Sequence, residues 1–384
     1  MTISVNKLFK TIDDSEGQYL DFLEDICNIE SPTKFKEGVD RAVDYFLRIA
    51  ESKGWETELF PQSVAGNAAC ITMNPNADSE PICLSGHLDT VHPVGSFGSP
   101  AVRRDEKRMY GPGVMDCKGG VVAAFMAMEA LDKCGFNSRP VKLILQTDEE
   151  TSSITSGKAT IDYMRRKSEG AIAFLNLEGH VKGTAVIVRK GIIRFKLTVK
   201  GRALHSARCF DAANAITEAA HKIIKLEKMK DANGLTCNCG IISGGTAVNT
   251  VAEECTFFAD IRFANDEQLE AARREVDLIA NENHVEGCSC ILQELSFRPA
   301  MPLTDANERL LAKINDIYAQ NGLTPLSARS CLSGSDAAYV TQFGIPCIDC
   351  IGTAGGKIHS TDEFIELDSL AESAKMIAAI VHEI

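Results

Sequence analysis

Four short apolar runs, at residues 82–85, 141–146, 171–177 and 347–351, are separated by turn signals and amphipathic segments. Runs of this length suit strands better than helices, and strands that are apolar throughout belong to a parallel sheet covered on both faces. Between the first two lies KGGVVAAFMAMEALDKCG, whose Ala and Met content favours a helix and whose Gly135 offers a left-handed C-cap. The pattern predicts an α/β domain built on a mainly parallel sheet. At 384 residues the chain exceeds what a single core usually covers, so a second domain is expected.

That domain announces itself near residue 187 by a change of period. In RFKLTVK, Phe195, Leu197 and Val199 alternate with Arg194, Lys196, Thr198 and Lys200, as in an antiparallel strand with one solvated face. A helix over 212–229, strands at 235–243 and 255–263, a helix opening at Asn265 with Gln268 as its capping partner, and a strand at 289–295 follow. The order βαββαβ predicts a ferredoxin-like domain at 187–298, inserted between 1–186 and 299–384, which together form the first domain and end in a helix near 370–382.

Composition excludes several function classes. The chain is 45% hydrophobic and 24% charged, ordinary for a soluble protein, and no apolar run approaches a membrane span. The start, MTISVNKLFKTIDD, lacks the basic and apolar regions of a signal peptide, so a cytoplasmic location is expected. In that setting the 14 scattered cysteines read as reduced, mostly buried thiols. The pairs Cys237/Cys239, Cys288/Cys290 and Cys347/Cys350 do not make the doubled C-x-x-C of a structural zinc site. A net charge of -13 argues against a nucleic-acid partner, which needs a basic face. No G-x-G-x-x-G follows the first strand, which sets aside a dinucleotide binder.

In open parallel sheets, functional groups sit beyond the carboxyl ends of the strands. Here those ends deliver His87 and Asp89 in GHLDTVHP, Glu149 and Glu150 behind Asp148, Glu178, and finally His359 in IHSTDE. Asp116 joins them from the glycine-rich loop YGPGVMDCKGG. Taken singly, a histidine at a strand end or two adjacent glutamates would be an ordinary loop. Their recurrence at four strand ends implies cations, without which the converging carboxylates would repel one another. Nitrogen and oxygen donors without thiolate suit a catalytic zinc pair, with cobalt or manganese as substitutes.

These stretches resemble a known family, the zinc-dependent exopeptidases and deacylases that include glutamate carboxypeptidase, acetylornithine deacetylase and aminoacylase. The resemblance covers nearly the whole chain. GHLDTVHP, GPGVMDCKGG, TDEE and the late IHSTDE are its most specific parts, the first three in that order, and VKGRALHSARCFDAANAI, FFADIRF and SGSDAAYV echo the folate-cleaving glutamate carboxypeptidases. The resemblance implies a dinuclear metal hydrolase domain with an inserted lid and dimerisation domain. It makes Asp116 a carboxylate bridging two divalent ions, with His87 and Glu178 completing one site and Glu150 and His359 the other. Asp89 would orient His87, Glu149 would be the general base, and a cis peptide would follow Asp116. His180, two residues beyond Glu178, is a reserve ligand. His205 would donate to the oxyanion, often from the partner subunit of a homodimer formed through the insert. Asn249 and Arg262 would contact substrate, Arg262 by clamping its C-terminal carboxylate.

After Glu178 the stretch GHVKGTAVIV is shorter than in the folate-cleaving enzymes, and Thr184 and Val186 fall near the positions that would grip a glutamate side chain. The expected substrate is therefore a small peptide or an N-acyl amino acid, with carboxypeptidase and deacylase both open. Neither a membrane nor a nucleic-acid partner is expected. A catalytically inactive, metal-binding relative would lack the base or a ligand, and none is missing.

Overall fold

The structure is a computed structural model that describes residues 3–231 and 234–384. The chain up to Ile187, with Leu303–Ser330 and Tyr339–Ile384, forms one compact unit, and Val188–Pro302 with Cys331–Ala338 forms a second. In the first, Ile82–His87 lies between Val141–Gln146 and Ala173–Asn176, parallel to both, and Cys347–Ile348 extends the sheet in parallel. Ala68–Met73 and Glu56–Phe60 add antiparallel pairings on the other side, completing six strands. The predicted mainly parallel sheet is therefore present, with its last apolar run contributing only two paired residues. Register positions the site: His87 is opposite Gln146 and Ser85 opposite Asn176, so the residues that follow these strands leave the sheet at one edge.

The predicted helix is Gly119–Lys133, buried from Gly119 through Leu131 and packed with Val5–Asn28 and Asp368–Glu383. It begins after Lys118 because Val114–Lys118 forms a separate distorted turn, in which Asp116 and Cys117 leave helical φ/ψ and are joined by a cis peptide bond. The two glycines after Lys118 bring helix and sheet unusually close. A Cβ at Gly120 would stand 2.0 Å from the Leu177 carbonyl oxygen, so no larger residue lets the Asp116 turn approach the end of that strand.

The second unit is an antiparallel sheet in the order Thr236–Gly244, Glu254–Phe263, Gly191–Lys200, Ser289–Arg298. Phe195, Leu197 and Val199 point inward, as their alternation predicts, and share a core with Ala219 and Leu226 of the Ala215–Glu227 helix and Leu269 and Val276 of the Asp266–Asn281 helix. Asn265 caps the latter by accepting from the Gln268 N–H at 2.9 Å, while Gln268 accepts from the Ala264 N–H at 2.7 Å. The former starts later than 212 because Ser206–Asp211 is a 3-10 turn and Asn214 supplies the cap. The cysteines are free thiols, and among the described residues no helix is long and apolar enough to cross a membrane.

Candidate metal centre

His87, Glu149, Glu150 and Glu178 at strand ends, Asp116 in the turn Val114–Lys118 and His359 in a loop come together in one cluster. His87 is nearly fully buried, and its Nδ1–H donates to the Asp89 carbonyl oxygen at 2.9 Å. In neutral form that tautomer leaves a lone pair on Nε2. Nε2 lies 2.9 Å from Asp116 Oδ1 and 3.8 Å from Glu178 Oε1. The other oxygen of the same carboxylate, Asp116 Oδ2, is 3.2 Å from His359 Nε2, which is also 3.4 Å from Glu150 Oε2. Ligand atoms of His87, Asp116 and Glu150 all lie within 4.8 Å of one another, and so do those of His87, Glu149 and Glu178.

In the acidic stretch after Val141–Gln146, Asp148 has a different task from Glu149 and Glu150. Asp148 closes its own loop by accepting from the Thr151 hydroxyl and from the Ser156 N–H. The backbone N–H groups of Glu149 and Glu150 each donate to Asp89, at 3.2 Å, which fixes where the two side chains start. Asp89 is fully buried and also accepts from the Thr33 hydroxyl at 2.7 Å. Its carboxylate is 3.5 Å from the His87 ring, so its carbonyl rather than its carboxylate makes the shorter bond to that imidazole.

Electrostatics favour a cation here. Burial pushes the Glu150 carboxyl up to about 7, opposed by His359 and aided by the nearby charges of Asp116 and Glu149. Burial and then Asp116 push Glu178 well above the usual carboxylate range. Hydrogen bonds to Asp116 and Glu150 push His359 up to about 10. These are carboxylates held together against desolvation and mutual repulsion, with imidazoles drawn toward positive charge. Two imidazole nitrogens and four carboxylates, with Cys117 Sγ occupied by the His87 N–H at 3.0 Å, form the nitrogen-and-oxygen donor set that divalent zinc, manganese or cobalt takes.

His180 does not join the cluster. Burial holds its imidazole below the ordinary range, and its Nδ1–H donates to the Gly352 carbonyl oxygen at 2.6 Å, tying it to the backbone. Sequence reasoning missed Glu363, which lies four residues after His359 and is almost fully buried. Its Oε1 accepts from the Met115 and Asp116 N–H groups at 2.9 and 3.0 Å, and its Oε2 is 3.3 Å from His92 Nε2. A carboxylate that grips the Asp116 backbone orients the Asp116 side chain. Glu363→Ala should weaken zinc binding about 10- to 100-fold in a chelator-competition titration, with the far-UV circular dichroism unchanged. Glu363→Gln, which keeps an acceptor oxygen, should retain most of the affinity.

In the second unit, His205 and Asn249 are neighbours: His205 bridges Thr250, and the Ser206 N–H donates to the Asn249 carbonyl oxygen at 2.9 Å. Both side chains are exposed. His205 Nδ1 accepts from the Ala207 N–H at 3.2 Å, so the neutral ring carries its proton on Nε2. Arg262 is half-buried and paired with Asp260, through Nε at 2.6 Å and Nη2 at 3.3 Å, and Asp260 also accepts from Arg194.

Comparisons with known proteins bear on the family and the fold. The chain is 24% identical over 386 residues to carboxypeptidase G2 from Pseudomonas sp. (strain RS-16), covering 99% of this chain and 92% of that protein. It is 24% identical over 362 residues to succinyl-diaminopimelate desuccinylase from Nitrosospira multiformis, covering 88% of this chain and 91% of the relative. Its fold matches the crystal structure of aminopeptidase PepT from Bacillus cereus with a TM-score of 0.78 and 22% identity, over 96% of this chain and 98% of that one. The model of Peptidase family M20/M25/M40 matches residues 83–383, a span that contains every clustered imidazole and carboxylate, and the chain belongs to that family.

Proposed function

We propose that the protein is a dinuclear metal hydrolase, with zinc or with manganese or cobalt in its place, that cleaves the amide bond of a peptide or an N-acyl amino acid. The observation that carries this reading is the Asp116 carboxylate, whose two oxygens face two different imidazoles, His87 and His359. Asp116 would bridge the metals, with His87 and Glu178 completing one site and Glu150 and His359 the other. Two divalent ions held there would polarise the scissile carbonyl and make water acidic near neutral pH.

The chain's own residues then divide the work. Glu149, anchored through its N–H to Asp89, takes a proton from the attacking water and passes it to the leaving amine. His205 donates from Nε2 to the developing oxyanion, its tautomer set by the Ala207 N–H. Asn249, beside it, contacts the substrate amide. Arg262 takes the substrate carboxylate on its Nη1–Nη2 edge, since Asp260 uses the other.

The inserted domain is read as lid and homodimer surface, supported by its edge strand Thr236–Gly244, which exposes Ile241 and Ile242. A cytoplasmic, small-molecule enzyme fits the sequence best. Carboxypeptidase and deacylase activities both stand, because the relatives' names include one of each. Dipeptides and N-acyl amino acids, each assayed with added zinc, manganese and cobalt, separate the two. Hydrolysis should be lost when the substrate's α-carboxylate is amidated. No turnover of any substrate by protein holding two metal ions would favour an inactive, metal-binding relative instead.

A further inference from the structure

Two residues after Asp116 stands a lysine that the chemistry described so far does not use. Lys118 is fully buried, where a lysine is rarely found unless its ammonium has partners. Those partners are main-chain carbonyls: Nζ donates to Ile29 at 2.8 Å and to Ile26 at 3.2 Å. We propose that Lys118 is a positioning residue for the metal centre, one that ties the Asp116 turn to the segment 26–33, which supports Asp89. The proposal rests on the metal-centre reading above and adds to it a link between the two sides of the cluster.

Three observations carry it. The first is where the lysine starts. Its N–H donates to the Gly113 carbonyl at 2.9 Å and so closes the turn Val114–Lys118 that presents Asp116. A shift of the Lys118 backbone would therefore move the carboxylate whose Oδ1 lies 2.9 Å from His87 Nε2.

The second is where the lysine ends. Ile26 lies in the last turn of the helix Val5–Asn28 and Ile29 is its C-cap, a place where carbonyls lack partners within the helix. That last turn has no basic residue of its own, and Lys118 serves it from outside. Directly beyond Ile29, the Ser31 hydroxyl donates to the Leu88 carbonyl at 2.6 Å and the Ser31 carbonyl accepts from the Thr90 N–H at 3.0 Å. Thr33 then donates to Asp89 at 2.7 Å. The segment gripped by the ammonium thus holds the residue that orients His87 and anchors the Glu149 and Glu150 N–H groups.

The third is how the grip complements that of Glu363. The Glu363 carboxylate takes the Met115 and Asp116 N–H groups and so fixes the orientation of the turn, whereas Lys118 fixes its distance from the support of Asp89. The turn and Thr90 approach closely, since a Cβ at Gly113 would stand 2.8 Å from Thr90 Cγ2. Hydrogen bonds donated by a cation are shorter and stronger than neutral ones, which suits them to hold two such segments in register.

The test is the zinc affinity of the full chain, read by chelator competition. Lys118→Met keeps the bulk of the stem without a donor, and Lys118→Gln keeps a donor that ends one bond short of the carbonyls. Both should bind zinc about 10- to 100-fold more weakly than the natural protein, with the far-UV circular dichroism unchanged. Adding Thr33→Val, which cuts the same tie at Asp89, should cost less than the product of the two separate factors, whereas adding Glu363→Ala should multiply them. A lysine that serves only the stability of the fold would lower the melting temperature, leave the zinc affinity of the folded protein unchanged and show no coupling to Thr33, and that result overturns the proposal. Should neither Lys118 variant fold, hydrogen exchange of the natural protein decides. Residues 26–33 hold no proposed ligand, and their amides should exchange more slowly with zinc than without it; unchanged exchange there overturns the tie. Failure of the natural protein to bind zinc in the same titration would sink the metal-centre reading instead.

Discussion

Replacing Glu149 by Gln should lower kcat by roughly 10²- to 10⁴-fold while the protein still holds two metal ions per chain. Gln has the shape and hydrogen-bonding reach of Glu but cannot accept the proton that the proposed base would take from water. Its backbone N–H still reaches Asp89, so the loop that carries Glu150 stays in place. The measurement is paired: turnover on the best substrate of the panel, and metal content by inductively coupled plasma mass spectrometry. The pairing matters because a Glu149 carboxylate oxygen lies within ligand range of His87 and Glu178. Metal lost together with activity would make Glu149 a ligand and reassign the base.

His205→Ala should lower kcat by roughly 10²- to 10³-fold with little change in KM, the pattern of a donor used in the transition state. The imidazole is solvent-exposed and already polarised correctly, with Nδ1 taken by the Ala207 N–H. Mixing the His205→Ala and Glu149→Gln proteins should restore activity, because a hybrid dimer would contain one site with an intact base and an intact histidine. Absence of any recovery, with subunit exchange demonstrated, would place His205 on the site of its own chain.

The sheet and the cluster were legible because the relevant signals are local. An apolar run that stops and is followed at once by His, Asp or Glu reveals both a strand and the edge at which it ends, as at His87, Glu149 and Glu178. His359 was legible as a residue but not as a position. Its strand pairs only at Cys347–Ile348, and the imidazole arrives from a loop in which His359 itself adopts φ +62. The supporting residues were invisible for a different reason. Thr33 meets Asp89 across 56 residues of chain, and Glu363 meets Asp116 across 247, contacts that no periodicity encodes. Nothing in a lone threonine or a loop glutamate marks it as buried. His180 shows the converse: its sequence position suggested a ligand, but its imidazole is hydrogen-bonded to the Gly352 carbonyl, which the sequence could not place beside it.

Asp89 touches no substrate in this scheme, yet it is where the chain's separate requirements become one. Its carboxylate receives the Thr33 hydroxyl and the N–H groups of Glu149 and Glu150, while its carbonyl holds His87. Drift at Thr33 would therefore disturb the foothold of the base, and drift at Asp89 would disturb every neighbour together.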